Sequence, residues 1–180
     1  SWEMYTVHHN RKLSRQKIRT RTYIETMLSF VEVKNKTNRG RTKKRRTVID
    51  REVFLDFRAS AQACEYMEQH SAYPLQDLLP SLITRFERIT LVNHAHTERL
   101  TIDFNVRFEN LRTGQNLSPG VERMVIVELK QDGMCYSPMK KIMLDLRVKQ
   151  LKVSKYCLGV VLTTPEVKKN RFKRKLRLVK

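Results

Sequence analysis

Long apolar runs are missing from this chain, and carboxylates are too few to balance its cations. The longest apolar candidate, Tyr156–Leu162, falls far short of the ~18 residues that cross a bilayer as a helix, so no transmembrane segment is predicted. Cysteine is scarce as well. Cys64, Cys135 and Cys157 are odd in number and widely spaced, which speaks against a disulfide framework and a zinc-ligand pattern. Reduced, buried thiols in a cytoplasmic protein are the prediction. No internal repeat occurs, and there is no Gly-flanked aromatic pair of the RNA-recognition type. No signal-peptide pattern opens the chain. Ser1 reads as an internal start, and Trp2–His8 enters in mid-pattern without a turn or capping signal, so a further segment is predicted upstream.

Positive charge is what the chain has in excess. Its 37 Lys and Arg face 18 Asp and Glu, a formal net charge of +19. An excess of that size points to a polyanion: nucleic acid, polyphosphate, nucleotide or anionic membrane. A hydrophobic fraction of 40% argues against disorder. The 180 residues suffice for one domain with a real core and a small appendage. The dense basic run Lys168–Lys180 is that appendage, and residues 1–167 are the domain.

The cations are patterned. Arg15, Lys17, Arg19, Arg21 and Tyr23 share one parity, and Glu32, Lys34 and Lys36 alternate around Val31 and Val33. Arg99, Thr101, Asp103, Asn105 and Arg107 alternate with Leu100, Ile102, Phe104, Val106 and Phe108. Glu128 and Lys130 repeat the pattern, with shorter versions at Lys43 and Arg45 and at Arg88. Side chains in a strand point to opposite faces with period two. A single charged face is ordinarily the solvated one. Recurrence in nearly every strand predicts a shared basic surface instead.

Strands are therefore predicted at about 15–24, 28–36, 42–49, 81–92, 98–109 and 122–130, with 3–9 as an extended approach and 158–163 as a last strand. Phe54, Phe57, Ala61, Cys64 and Met67 have helical spacing and predict one amphipathic helix. A helical turn is predicted at Pro74–Leu79, and loops at 10–14, 94–97 and 112–120. Ser137 followed by Pro138 predicts the start of a second helix, with Ile142, Leu146 and Val153 on its buried side.

Each motif has a bland and a functional reading. Arg19 and Arg21, about 7 Å apart on one strand face, form either a solvated surface pair or two forks for phosphate oxygens. Glu32 beside Lys34 and Lys36 is either an internal salt bridge or a ligand for a divalent ion that bridges to phosphate.

In order along the chain, Phe30-Val-Glu32-Val-Lys34, Glu98-Arg-Leu-Thr-Ile-Asp103, Val127-Glu128-Leu-Lys130 and Ser154-Lys-Tyr-Cys157 resemble the VTC domain. This is the polyphosphate polymerase domain of the vacuolar transporter chaperone complex, which also occurs as a stand-alone bacterial protein. Tyr5 to His8, then Lys17 through Tyr23, fit the same pattern, as does Phe86-Glu87-Arg88, where the family more often has Tyr first. The resemblance spans residues 3–162. It implies an α+β fold: an antiparallel triphosphate-tunnel barrel with covering helices and a basic lumen. The family's opening strand and helix have no counterpart here and are expected upstream of Ser1.

The site residues implied are Arg19, Arg21, Lys36, Arg88 and Arg99 as the catalytic cations. Lys34, Lys43, Lys130, Lys152 and Lys155 are implied as further phosphate contacts, with Arg45 beside Lys43 on the third strand. Glu128 and Glu32 are the implied ligands of Mn²⁺ or Mg²⁺. The implied partners are ATP or another nucleoside triphosphate and polyphosphate, with no specific nucleic acid. The implied reaction is phosphoryl transfer. A polyphosphate end as attacking group gives a polymerase and water gives a triphosphatase, while a non-catalytic polyphosphate- or inositol-phosphate-binding module would use the same cations. A nucleic-acid-binding protein is the more remote alternative, disfavoured because the cations keep strand parity beside carboxylates.

Overall fold

Sheet forms where charged and apolar residues alternate. Strands β1 (Arg15–Tyr23), β2 (Leu28–Lys36) and β3 (Thr42–Ile49) make one antiparallel sheet in the order β1-β2-β3. Strands β4 (Leu82–Val92), β5 (Glu98–Asn110), β6 (Gln115–Leu117) and β7 (Ile126–Gln131) make a second antiparallel sheet. β5 pairs with β4 along one edge and divides its other edge between β6 and β7. This computed structural model describes residues 2–117, 121, 123–134 and 136–178. The chain divides into two compact units, Ser1–Ser81 and Leu82–Lys180. The mixed α+β, antiparallel character expected from the sequence is observed. Among the described residues, the strand pairings do not close a ring.

In the first unit, helix α2 (Ala61–His70) covers one sheet face. The core there is Val31, Val33 and Ile49 from the strands against Phe57, Ala63 and Met67. The one amphipathic helix expected over residues 54–67 is broken: turns of 3-10 helix at Arg51–Val53 and Phe57–Ala59 precede α2. Polar side chains make the breaks. Asp56 accepts from the Arg58 N–H, and Ser60 Oγ accepts from the Ala63 N–H as the α2 N-cap. A 3-10 turn at Leu75–Asp77 meets the helical-turn expectation. Residues 3–9, expected to be extended, form helix α1 (Glu3–His9). Tyr5 and His9 lie one turn apart on its buried side, with ring centroids 5.9 Å apart, and an acidic first turn and basic last turn suit the helix dipole.

In the second unit, helix α4 (Lys155–Thr163) packs on β4 and β5. This overturns the strand expected at 158–163. A run apolar on every side has no period to distinguish a buried helix from a buried strand. The local signals are caps: Ser154 Oγ accepts from the Cys157 N–H, and Gly159 lets the helix approach Phe108. Buried Asn110 ties down the far end by donating to Thr163 O and Thr164 Oγ1. The core is Val106, Phe108, Val121 and Leu158, with Leu82, Phe86 and Leu176 packed against it. Leu176 belongs to α5 (Lys173–Leu176), the short helix of the basic run.

Helix α3 (Pro138–Asp145) starts as expected, with Ser137 Oγ accepting from the Lys140 N–H. It buries no residue, and Ile142, Leu146 and Val153 are exposed rather than lining a core. β6 falls within the expected loop 112–120, whose positions 118–120 lie outside the described residues. β7 begins at Ile126, and position 122, expected to start it, is likewise outside. Cys157 is buried and Cys64 half-buried, both as free thiols; Cys135 lies outside the described residues. No helix among the described residues is long and apolar enough to cross a membrane.

Candidate functional site

Residues directly opposite in an antiparallel ladder share a face, so register decides which cations meet. In the first sheet, successive rows across β1, β2 and β3 are Arg19, Glu32 and Arg46; Lys17, Lys34 and Lys44; and Arg15, Lys36 and Thr42. Arg21 and Tyr23 continue the same β1 parity opposite Phe30 and Leu28. The predicted Arg19, Arg21, Lys34 and Lys36 therefore share the face away from α2. Lys43 and Arg45 do not. They lie opposite Asn35 and Val33, on the face that α2 covers, and the third strand instead contributes Lys44 and Arg46. Four consecutive cations, Lys43–Arg46, carry no parity of their own, which is why their sequence points to the wrong pair.

Aromatic rings hold part of this face in place. Arg46 lies over Phe30 at 4.4 Å and Arg21 over Tyr23 at 4.3 Å, while the two rings meet edge to face at 6.2 Å. Glu32 sits in the middle of the cations, its side chain 2% exposed. Arg19 Nε donates to Glu32 Oε2 at 2.7 Å, and Lys44 Nζ makes an ion pair with Oε1 at 2.6 Å. Burial alone would push the Glu32 carboxyl up, but Lys44 and Arg19 together hold it below the usual range. Of the two roles that the sequence allows Glu32, the salt bridge is the one observed, though with Arg19 and Lys44 rather than with its chain neighbours.

The second sheet repeats the arrangement without repeating the sequence. Arg88 lies opposite Asp103, Arg99 opposite Lys130, and Thr101 opposite Glu128, all on one face. Leu100, Ile102, Phe104 and Val127 take the other parity, as expected; Val125 precedes β7. Asp103 is buried and receives two N–H bonds from Arg88, Nε to Oδ1 at 2.5 Å and Nη2 to Oδ2 at 2.7 Å. Lys155, the first residue of α4, donates to the same Oδ2. Phe86 lies beneath both cations, 4.4 Å from Lys155 Nζ and 5.3 Å from the Arg88 guanidinium. Burial again opposes ionisation, and Arg88 and Lys155 again overcome it, leaving the Asp103 carboxyl below its ordinary value.

A β-bulge makes this juxtaposition possible. Arg85 pairs with Arg107 but Glu87 pairs with Phe104, so β5 carries one extra residue, and Asn105 adopts φ 50°. The extra residue flips parity. Val106 and Phe108 thereby join Asp103 on one side of the sheet, where α4 packs, instead of following Phe104. Alternation in the sequence does not reveal this, and it places Asp103 in the charged parity without giving it a role.

Glu128 has a side chain 50% exposed with Lys130 Nζ 3.4 Å away, on a short β7 that among the described residues pairs with β5 alone. Lys152 is exposed in the segment leading into α4. At the end of this face a cleft of about 570 Å³ is lined by Arg99 and Lys130 with His96 and Asp132. Among the described residues no group of three His, Cys, Asp or Glu could hold a metal. Both oxygens of Glu32 and of Asp103 are engaged by cations. A divalent ion fits Glu128 only by taking its remaining ligands from phosphate and water, as Mg²⁺ commonly does.

Comparison with curated proteins finds no match, and neither does comparison with solved structures. The family model of the VTC domain matches residues 1–164, all of the first unit and most of the second. Those residues carry both basic sheet faces together with Glu32 and Asp103, and the chain belongs to the VTC domain family.

Proposed function

We propose that this VTC domain binds inorganic polyphosphate and a nucleoside triphosphate on its basic sheet faces, and transfers the γ-phosphoryl group of ATP to the polyphosphate chain. Family membership supports a polyphosphate-related function in the broad sense. The observation that carries the finer reading is the shared parity: Arg19, Arg21, Lys34 and Lys36 on one face, Arg88, Arg99 and Lys130 on another. The closed barrel with a basic lumen belongs to the same proposal, with residues 1–167 as the functional domain.

In this reaction a terminal polyphosphate oxygen attacks the γ-phosphorus, a new P–O bond forms, the bond to the β-phosphate oxygen breaks, and ADP leaves. Little covalent work falls to the protein. Guanidiniums such as Arg19 and Arg99 fork onto phosphate oxygens and neutralise charge on the transferring group. Lysines act as adjustable point charges along the chain. A bound Mn²⁺ or Mg²⁺, with Glu128 as its protein ligand, would supply further neutralisation at the phosphate oxygens.

Tripolyphosphate binds the folded form in preference and relieves repulsion among these cations, so it raises the unfolding temperature in a concentration-dependent way. The expected shift exceeds that from chloride at matched ionic strength and is largely lost in Arg19→Ala/Arg21→Ala. A shift no larger than chloride, or one that survives the double substitution, refutes the phosphate cradle. Incubation with ATP and Mn²⁺ or Mg²⁺ then separates the chemistries. Polymer identifies a polymerase, free phosphate alone a triphosphatase, and binding without turnover a phosphate-binding module.

A further inference from the structure

We propose that Glu32 and Asp103 are positioning residues, each fixing two cations of a basic face so that geometry rather than summed charge sets affinity for condensed phosphate. The inference rests on the phosphate reading above. Its starting point is an electrostatic problem: Lys17, Lys34 and Lys44 lie in one row across the first sheet, and like charges directly opposite destabilise a ladder. Lys44 leaves that row by reaching diagonally to Glu32, which also takes Arg19 from the opposite strand. The carboxylate lies beneath the cations, 2% exposed against 43% for Arg19 and 42% for Lys44. The donors that Glu32 does not use are therefore left toward solvent.

In the second sheet the same device joins a strand to a helix. Asp103 receives Arg88 along two N–H bonds and Lys155 from the first residue of α4. Nothing in the surrounding sequence repeats between the two sites. Both use one buried carboxylate and two cations from different elements; Phe86 lies against both cations of the second site, while Phe30 in the first carries the neighbouring Arg46. A guanidinium held in one orientation loses less freedom when it meets a phosphate, so preorganisation appears as affinity.

Glu32→Gln and Asp103→Asn decide the matter because the two physical accounts differ in sign. Each substitution makes a basic face more positive by one unit, so summed charge alone predicts tighter binding. Positioning predicts weaker binding. Calorimetric titration of tripolyphosphate into the full chain is expected to show at least a tenfold loss for each variant and partial recovery in Glu32→Asp. Thermal unfolding of the same samples establishes that they are folded. Equal or tighter binding in a folded variant overturns the proposal. Independently, the Arg19 Nε–H resonance should be visible and protected from exchange in the wild type and lost in Glu32→Gln. Its absence in the wild type overturns positioning even if tripolyphosphate binds. A wild type that does not bind tripolyphosphate, with Arg19 nonetheless protected, overturns the phosphate reading and with it any role for positioning in affinity.

Discussion

Gly159→Ala asks how closely α4 rests on the second sheet. On helix propensity alone, alanine in a helix interior is favoured by about 0.8–1 kcal/mol over glycine. Here the added Cβ would lie 2.5 Å from Phe108 Cδ1, 2.7 Å from Leu82 Cδ2 and 2.9 Å from Phe108 Cγ. Carbon contacts are optimal near 3.5–4.0 Å, so all three are repulsive. Leu82 is only partly buried and can yield, but Phe108 is wedged among Val106, Val121 and Leu158. Overpacking of a filled core typically costs about 1–3 kcal/mol, and the close ring contacts place this site at the upper end. After the propensity gain, a net loss of about 1–2 kcal/mol remains. For a unit of this size that lowers Tm by roughly 5–15 °C. Circular dichroism at 222 nm during heating or urea titration reads it directly. Relief of the clash lifts α4, and Lys155 with it, from Asp103, so stabilisation by tripolyphosphate should shrink in parallel. A Tm equal to or above that of wild type would refute the close approach.

Acid should destabilise the protein through Glu32 and Asp103. Both carboxyls are held below their ordinary range when folded, so the unfolded chain binds their protons more readily. Their stabilisation is complete above the unfolded values of about 4 and is lost as pH falls through the lower folded ones. Urea midpoints between roughly pH 2.5 and 6 should rise with pH, and the rise should diminish in Asp103→Asn; a wild-type midpoint flat across that window would refute the coupling. Glu128→Gln should leave the fold and metal-free tripolyphosphate binding unchanged, because Glu128 is half-exposed and its ion pair with Lys130 lies at the surface, while abolishing any increment due to Mn²⁺ or Mg²⁺. An increment that persists returns Glu128 to a simple surface salt bridge.

Most of the sheet is legible because its strands advertise themselves twice, by period and by charge. β2 spans the stretch where charged and apolar residues alternate, and Arg19, Arg21, Lys34 and Lys36 meet because period two leaves them no other side. Legibility fails where period carries no information. Lys43–Arg46 is cationic throughout, so only the register, which sets Lys44 opposite Lys34 and Arg46 opposite Glu32, reveals that these two take the face away from α2. Tyr156–Leu162 is almost wholly apolar, and a serine cap, with Asn110 from across the core, decides helix over strand. Glu128 is expected to hold a metal because its motif matches the family, but its half-exposure depends on what flanks β7, which a motif does not encode.

Leu100, Ile102, Phe104, Val106 and Phe108 look like one uninterrupted apolar stripe. The extra residue at Asn105 cuts that stripe in two and gives β5 a charged half and a dry half on the same side. The dry half is a berth for α4, and the charged half begins at the next position on that side, the buried Asp103. Lys155 reaches it only because berth and carboxylate are neighbours on one surface. Removing one residue at position 105 would leave composition, charge and every short motif almost untouched. It would nevertheless move the berth to the back of the sheet and strand Lys155 away from Asp103. Residue count at the bulge, more than residue kind, therefore separates a working face from a scrambled one, and recognition of such faces by motif alone would pass both.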